Sequence, residues 1–190
     1  MIPAELKKIF ILRFHGFMKN LKEISKDKNT GFSVINDDKE LFYDFDGIKD
    51  NDIYKGAAEK PASPDTLIFK DDEIIFVEFK NGKLVNIKTQ KKELKLKAIE
   101  GGFIILDKIA KKHDFNFLDV LTLKKSYALV YNSERNPMGE MINRAAFVEL
   151  EAALKIYEGN FFQKVVVLPD KSFEEEHVRG SSEPALPGVE

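Results

Sequence analysis

Cysteine and tryptophan are absent from this chain of 190 residues, histidine occurs three times, and arginine four times against twenty-six lysines. Without cysteine there are no disulfides and no thiolate metal sites, which leaves carboxylate oxygens as the expected ligands for any hard cation. His15, His113 and His177 show no ligand spacing. Scarce arginine gives little scope for bidentate reading of guanine, so recognition of a nucleic acid would rest on shape or limited contacts. No sign of charge dominates either: 30 basic and 32 acidic residues leave a net charge of −2. Any polyanion must therefore be held by a local patch rather than by a global field. Long apolar runs are missing too. Lys7, Lys8, Arg13, His15 and Lys19 interrupt the amphipathic N-terminal stretch well short of a membrane span or signal-peptide core. A cytoplasmic protein with no membrane partner is expected.

What the chain does have is a large apolar store, 43% hydrophobic with sixteen phenylalanines. That is enough for the core of one domain, expected over residues 1–170. Leu6, Ile9, Phe10, Phe14, Phe17, Leu21 and Ile24 recur at helical spacing, which predicts a helix over residues 3–24. Residues 32–35 and 41–45 read as a hairpin about Asn36-Asp37-Asp38-Lys39. Acidic residues crowd from Asp37 to Asp52, but without the glycine and terminal glutamate of a calcium-binding loop. A second hairpin spans residues 65–80. Asn81-Gly82 then marks a turn into a helix over residues 85–113, where Gly101-Gly102 permits close packing or a break. A strand at 126–131, a polar loop, a helix at 140–157 and a strand at 162–168 follow. Residues 171–190 are acidic and then rich in Gly, Ser and Pro, and are expected to form a disordered tail.

The second hairpin carries the chemistry. With Asp71-Asp72 as its turn, Phe69 pairs with Ile74, Leu67 with Phe76 and Asp65 with Glu78. Both faces are apolar, as in a strand pair at the middle of a sheet covered by helices, so the fold class is α/β. Two carboxylates facing each other at the rim of such a sheet repel, and one pKa should rise. A divalent cation, Mg2+ or Mn2+, resolves this by taking an oxygen from Asp65 and from Glu78, with the backbone carbonyl of Phe79 as a further ligand and a substrate phosphate completing its shell. Lys80 lies one strand period beyond Glu78 and points the same way, placed to orient an attacking water. The expected activity is metal-dependent hydrolysis of phosphodiesters, with Asp65, Glu78 and Lys80 as the catalytic set.

Pro64-Asp65, a gap of twelve residues and Glu78-Phe79-Lys80 together resemble the signature of the PD-(D/E)xK nuclease superfamily. Glu-x-Lys occurs three times in the chain and Pro-Asp twice, but one combination alone sits on adjacent strands before a helix. The resemblance implies a restriction-endonuclease-like αβββαβ core, a central mixed β-sheet flanked by helices, in the element order that periodicity suggests. It also implies metal binding by Asp65 and Glu78, assistance to the water by Lys80, and an additional glutamate from the first helix, for which Glu5 and Glu23 both qualify. The Gln-xxx-Tyr motif of the RecB-like branch is not met, since Gln90 is followed by Leu94.

Lys88, Lys91, Lys92 and Lys95 recur every three or four residues after the motif and form a basic stripe suited to phosphate contact, with Gln90 beside it. DNA is the expected substrate, and a cutter of both strands at this size is expected to act as a homodimer. The alternative is a non-catalytic nucleic-acid-binding or assembly protein on the same architecture.

Overall fold

A computed structural model describes residues 3–70, 72–113, 115 and 117–178. It is an α/β protein built on one six-stranded sheet with helices against it. The strands are β1 (Met18–Asn20), β2 (Leu41–Asp44), β3 (Thr66–Lys70), β4 (Glu73–Lys80), β5 (Lys125–Tyr131) and β6 (Lys164–Pro169), ordered in space as in sequence. Strands β1 to β4 pair antiparallel, and β4, β5 and β6 pair parallel. The sheet is therefore mixed, and β4 is the strand where the pairing changes sense.

The β3–β4 hairpin has the expected register, Leu67 opposite Phe76 and Phe69 opposite Ile74. Lys70 opposite Glu73 makes the connection the two residues 71 and 72, of which Asp71 lies outside the described residues. Alternation along β4 sends Ile74, Phe76 and Glu78 to one face and Ile75, Val77 and Phe79 to the other. On the first face Phe76 packs with Phe10, Leu94, Ile105, Leu129 and Leu150 in the larger core. On the second, Val77 and Phe79 join Leu21, Ile35, Val130 and Phe173 in a smaller one. A strand covered on both sides makes a rigid base for the groups at its end.

The N-terminal region differs from its expected form. Helix α1 ends at Phe14 rather than near residue 24; the chain turns through His15–Phe17, forms β1 and enters the short α2 (Leu21–Ile24), whose first turn Asn20 caps. β2 therefore pairs with β1, not with residues 32–35, and it leads into the single-turn α3 (Phe45–Ile48). Residues 32–35 run as a loop with one isolated bridge, Lys26 to Ser33. The carbonyl of Phe32 is taken by the N–H of Asp27 and by the side-chain amide of Asn81, while Val34 and Ile35 bury in the second core.

The expected long helix is helical from Leu84 to Lys111 but not uniform. α4 (Leu84–Ile87), a tight turn at Lys88–Gln90, α5 (Lys91–Ile99), a widened turn at Glu100–Ile105 and α6 (Leu106–Lys111) follow one another. α7 (Phe117–Thr122) leads to β5, where the buried Lys125 ammonium donates to the carbonyls of Val120 and Leu121 above the Phe103 ring. α8 (Met141–Lys155) returns the chain to β6. The chain stays ordered past Lys171, where a tail was expected: α9 (Asp170–Phe173) and a turn at Glu174–Val178 bury Phe173 and Val178 in the second core. Residues 179–190 of that tail lie outside the described residues. Among the described residues, no helix is long and apolar enough to cross a membrane.

Candidate active site

Asp65 stands just before the first residue of β3. The ladder closes at Thr66 opposite Val77, so Asp65 does not continue the strand pairing to Glu78. Its N–H donates to the Val77 carbonyl at 3.0 Å, and its own carbonyl accepts from Phe45 N–H at 3.0 Å. Its Oδ2 accepts from Phe79 N–H at 2.7 Å, which folds the carboxyl back over the end of β4. Glu78 reaches the same place from the strand below. Its side chain is 1% exposed, and its Oε2 is buried with no hydrogen-bond partner.

The two carboxyls share an ammonium that the motif does not contain. Lys97, on α5, places its Nζ 2.8 Å from Glu78 Oε1 and 3.9 Å from Asp65 Oδ1. Lys80 lies 3.1 Å from the same Glu78 oxygen and 3.7 Å from Glu93 Oε1. Asp65 opens to solvent on one side but is hemmed by protein on the others. Burial and then the charge of Glu78 push its pKa up to about 8, against the opposing pull of Lys97, the Phe79 N–H and Lys80. Burial works to lower the pKa of Lys97, but the charges of Glu78 and Asp65 outweigh it and hold the ammonium above its ordinary value. Beneath them the Tyr127 hydroxyl is buried without a partner; burial, then the charges of Glu78, Asp65 and Glu93, keep it protonated.

These groups line a cleft of about 490 Å³ between the 24–29 loop and the helices after β4. Asp65, Glu78, Phe79, Lys80, Gln90, Glu93 and Lys97 all face it, and Asp27, Lys26 and Lys28 form part of the opposite wall. Gln90, Glu93 and Lys97 are spaced by three and four residues, so they share one helical face, a signal available in the sequence. The basic stripe lies off that face. Lys88 and Lys91 bind Glu149 of α8 at 3.4 and 2.6 Å, and none of Lys88, Lys91, Lys92 and Lys95 lines the cleft. Neither Glu5 nor Glu23 lines it; the acid that the N-terminal part of the chain brings there is Asp27.

Two local arrangements hold the site. The 61–65 segment is fixed on the helix: Glu100 accepts from Ala62 N–H, and Gly101 lies so close to Pro64 that a Cβ there would overlap the ring. This sets the position of Asp65 relative to Lys97. At the end of β4, the buried Asn136 accepts from Leu84 N–H at 2.6 Å and donates to the carbonyls of Gly82 and Asn132 at 3.1 and 2.8 Å. Asn132 in turn donates to the side chain of Asn81 at 3.1 Å. The start of the helical segment is thereby tied to the C-terminal ends of two parallel strands, where α/β sheets commonly bind ligands.

No family model, curated protein or solved structure matches the chain. Among the described residues, no group of three or more His, Asp or Glu side chains could hold a metal. The residues present suit a magnesium-like ion, which takes one or two carboxylates and keeps waters and phosphate oxygens for its other positions. The unpaired Oε2 of Glu78 is the feature that fits such an ion, because a buried carboxylate oxygen without a donor is costly.

Proposed function

We propose that this protein is a metal-dependent nuclease that hydrolyses phosphodiester bonds, with DNA as its substrate. The observation that carries the reading is the pair formed by Asp65 and the buried Glu78, crowded enough to raise the pKa of Asp65 and joined by Lys80 at 3.1 Å in an open cleft. The β3–β4 hairpin bearing Pro64-Asp65 and Glu78-Phe79-Lys80, followed by helix and the parallel β5, supports a restriction-endonuclease-like reading of the sheet. Asp65 and Glu78 would hold Mg2+ or Mn2+, with the Phe79 carbonyl at the same strand end. When bound, such an ion supplies positive charge to the phosphate and acidifies water. Lys80, one strand period from Glu78, orients the attacking water and offsets charge growing on phosphorus. Lys26 and Lys28 across the cleft contribute phosphate contacts. One cleft faces one strand, so cutting a duplex through would take two copies.

Cleavage of plasmid DNA and of RNA with Mg2+ or Mn2+, by the wild type beside Asp65→Ala, Glu78→Ala and Lys80→Ala, tests the proposal. Wild-type cleavage that all three substitutions abolish is the expected result. Activity surviving in all three would place the chemistry elsewhere. One observation favours a second reading, a non-catalytic binding or assembly protein: Lys80 and Lys97 already meet Glu78 Oε1, so the charges largely balance without an ion. A melting temperature unmoved by either metal would favour that reading.

A further inference from the structure

Lys97 is the group that the nuclease signature leaves unassigned. Among the described residues its ammonium is the one in ion-pair contact with both acids, 2.8 Å from Glu78 Oε1 and 3.9 Å from Asp65 Oδ1, whereas Lys80 contacts Glu78 and Glu93. A divalent ion shared by Asp65 and Glu78, whether on Oε1 or on the neighbouring unpaired Oε2, would lie against this ammonium, and the repulsion between the two cations is relieved when the ammonium moves away.

We propose that Lys97 is a built-in counter-cation: its ammonium holds the locus between Asp65 and Glu78 until a divalent ion displaces it, and the released ammonium then binds the phosphate of the substrate. This rests on the nuclease reading and adds a regulated step to it. The helix is built for such a motion of one side chain. Leu94 and Ala98, on either side of Lys97 along α5, are fully buried, and Gly101 is packed on Pro64, so the backbone stays fixed. The lysine stem is long and flexible, its side chain is 19% exposed, and it borders the open cleft. Metal entry and phosphate binding are thereby linked. An ion that removes Lys97 from the acids makes a cationic arm available to the anion that the ion itself attracts, and by reciprocity the phosphate favours metal entry.

The sign of one measurement separates this role from a structural one. Calorimetric titration with Mn2+ in the absence of substrate compares the wild type with Lys97→Met and Lys97→Gln. Loss of the competing ammonium should tighten Mn2+ binding by about tenfold or more, whereas a site merely damaged by the substitution would bind more weakly. With metal saturating, both variants should show a raised KM for DNA, because the phosphate arm is gone. Equal or weaker Mn2+ binding in both variants overturns the proposal while leaving the nuclease reading intact. No Mn2+ binding by the wild type or either variant would remove the metal reading, and the role of Lys97 with it.

Discussion

Melting the protein at about pH 6, 7 and 8, with and without Mn2+, tests the electrostatics of the acid pair. Asp65 is pushed up to about 8 in the folded chain, against about 4 in an unfolded one. Within that window the folded state binds a proton that the unfolded state has lost, so the metal-free protein loses stability as pH rises, by about 1.4 kcal/mol per unit, and the loss levels off above about pH 8. A divalent ion needs the carboxylate, so its binding expels the proton, and each unit below about pH 8 weakens it about tenfold. An ion at about 100 times its dissociation constant adds about 2.7 kcal/mol of stability; weakened tenfold, it adds about 1.4 kcal/mol. The metal-induced rise in melting temperature should therefore shrink by about 3–5 °C over the first such unit, and by somewhat less over the next, in a chain of this size. Asp65→Asn should lose both the metal-free slope and the response to metal. A metal-induced shift equal at all three pH values, or retained in Asp65→Asn, would refute the reasoning.

Gly101→Ala should cost about 1–3 kcal/mol in denaturant unfolding, because the new methyl overlaps the Pro64 ring, which chain geometry holds against the helix. It should also slow cleavage by shifting Asp65 relative to Glu78, while Gly16→Ala, with nothing within 4 Å, serves as the neutral control. Tyr127→Phe removes a buried hydroxyl that has no partner. It should leave stability unchanged or raise it by up to about 1 kcal/mol; a loss of more than that would mean that the hydroxyl is bonded.

The β3–β4 hairpin was legible because apolar alternation on both strands is bounded by a charged turn, and a slip of one residue would have turned every side chain to the wrong face. Its end was not. Asp65 leaves the ladder when its side chain takes the Phe79 N–H, a bond that alternation does not encode. β1 carries no strand signal in Met18-Lys19-Asn20 and is extended because β2 needs a neighbour. Phe32 to Ile35 has the composition of a strand, but Asn81 and Asp27 claim the Phe32 carbonyl and hold the segment as a loop. The cleft-lining face of the helical segment was likewise hard to see. Counting positive charges singled out Lys88, Lys91, Lys92 and Lys95, while the residues that line the cleft, Gln90, Glu93 and Lys97, mix an amide, an acid and a base. Lys171 to Val178 reads as acidic chain, yet Phe173, packed on Phe79, and Val178 supply the apolar surface that pins it to the second core.

Stability gives weak grounds for placing these charges where they are. Burying ionised groups costs several kcal/mol each, and apolar side chains of similar volume commonly do as well or better in such positions. Glu78 sits among Phe76, Val77 and Phe79 on a strand whose other buried side chains are apolar, so a leucine there would extend the core. Instead the chain keeps an acid with one oxygen unpaired and adds a second acid that raises its own pKa by approaching. Two lysines then offset the charge that results. The two acids work against the folded state taken alone, the lysines offset part of that cost, and together they leave a concentrated, adjustable charge at the strand end where antiparallel pairing gives way to parallel. A site built this way gains most from a ligand that relieves the strain between its acids, and this supports the proposal of a small divalent cation, whose charge and size would do so.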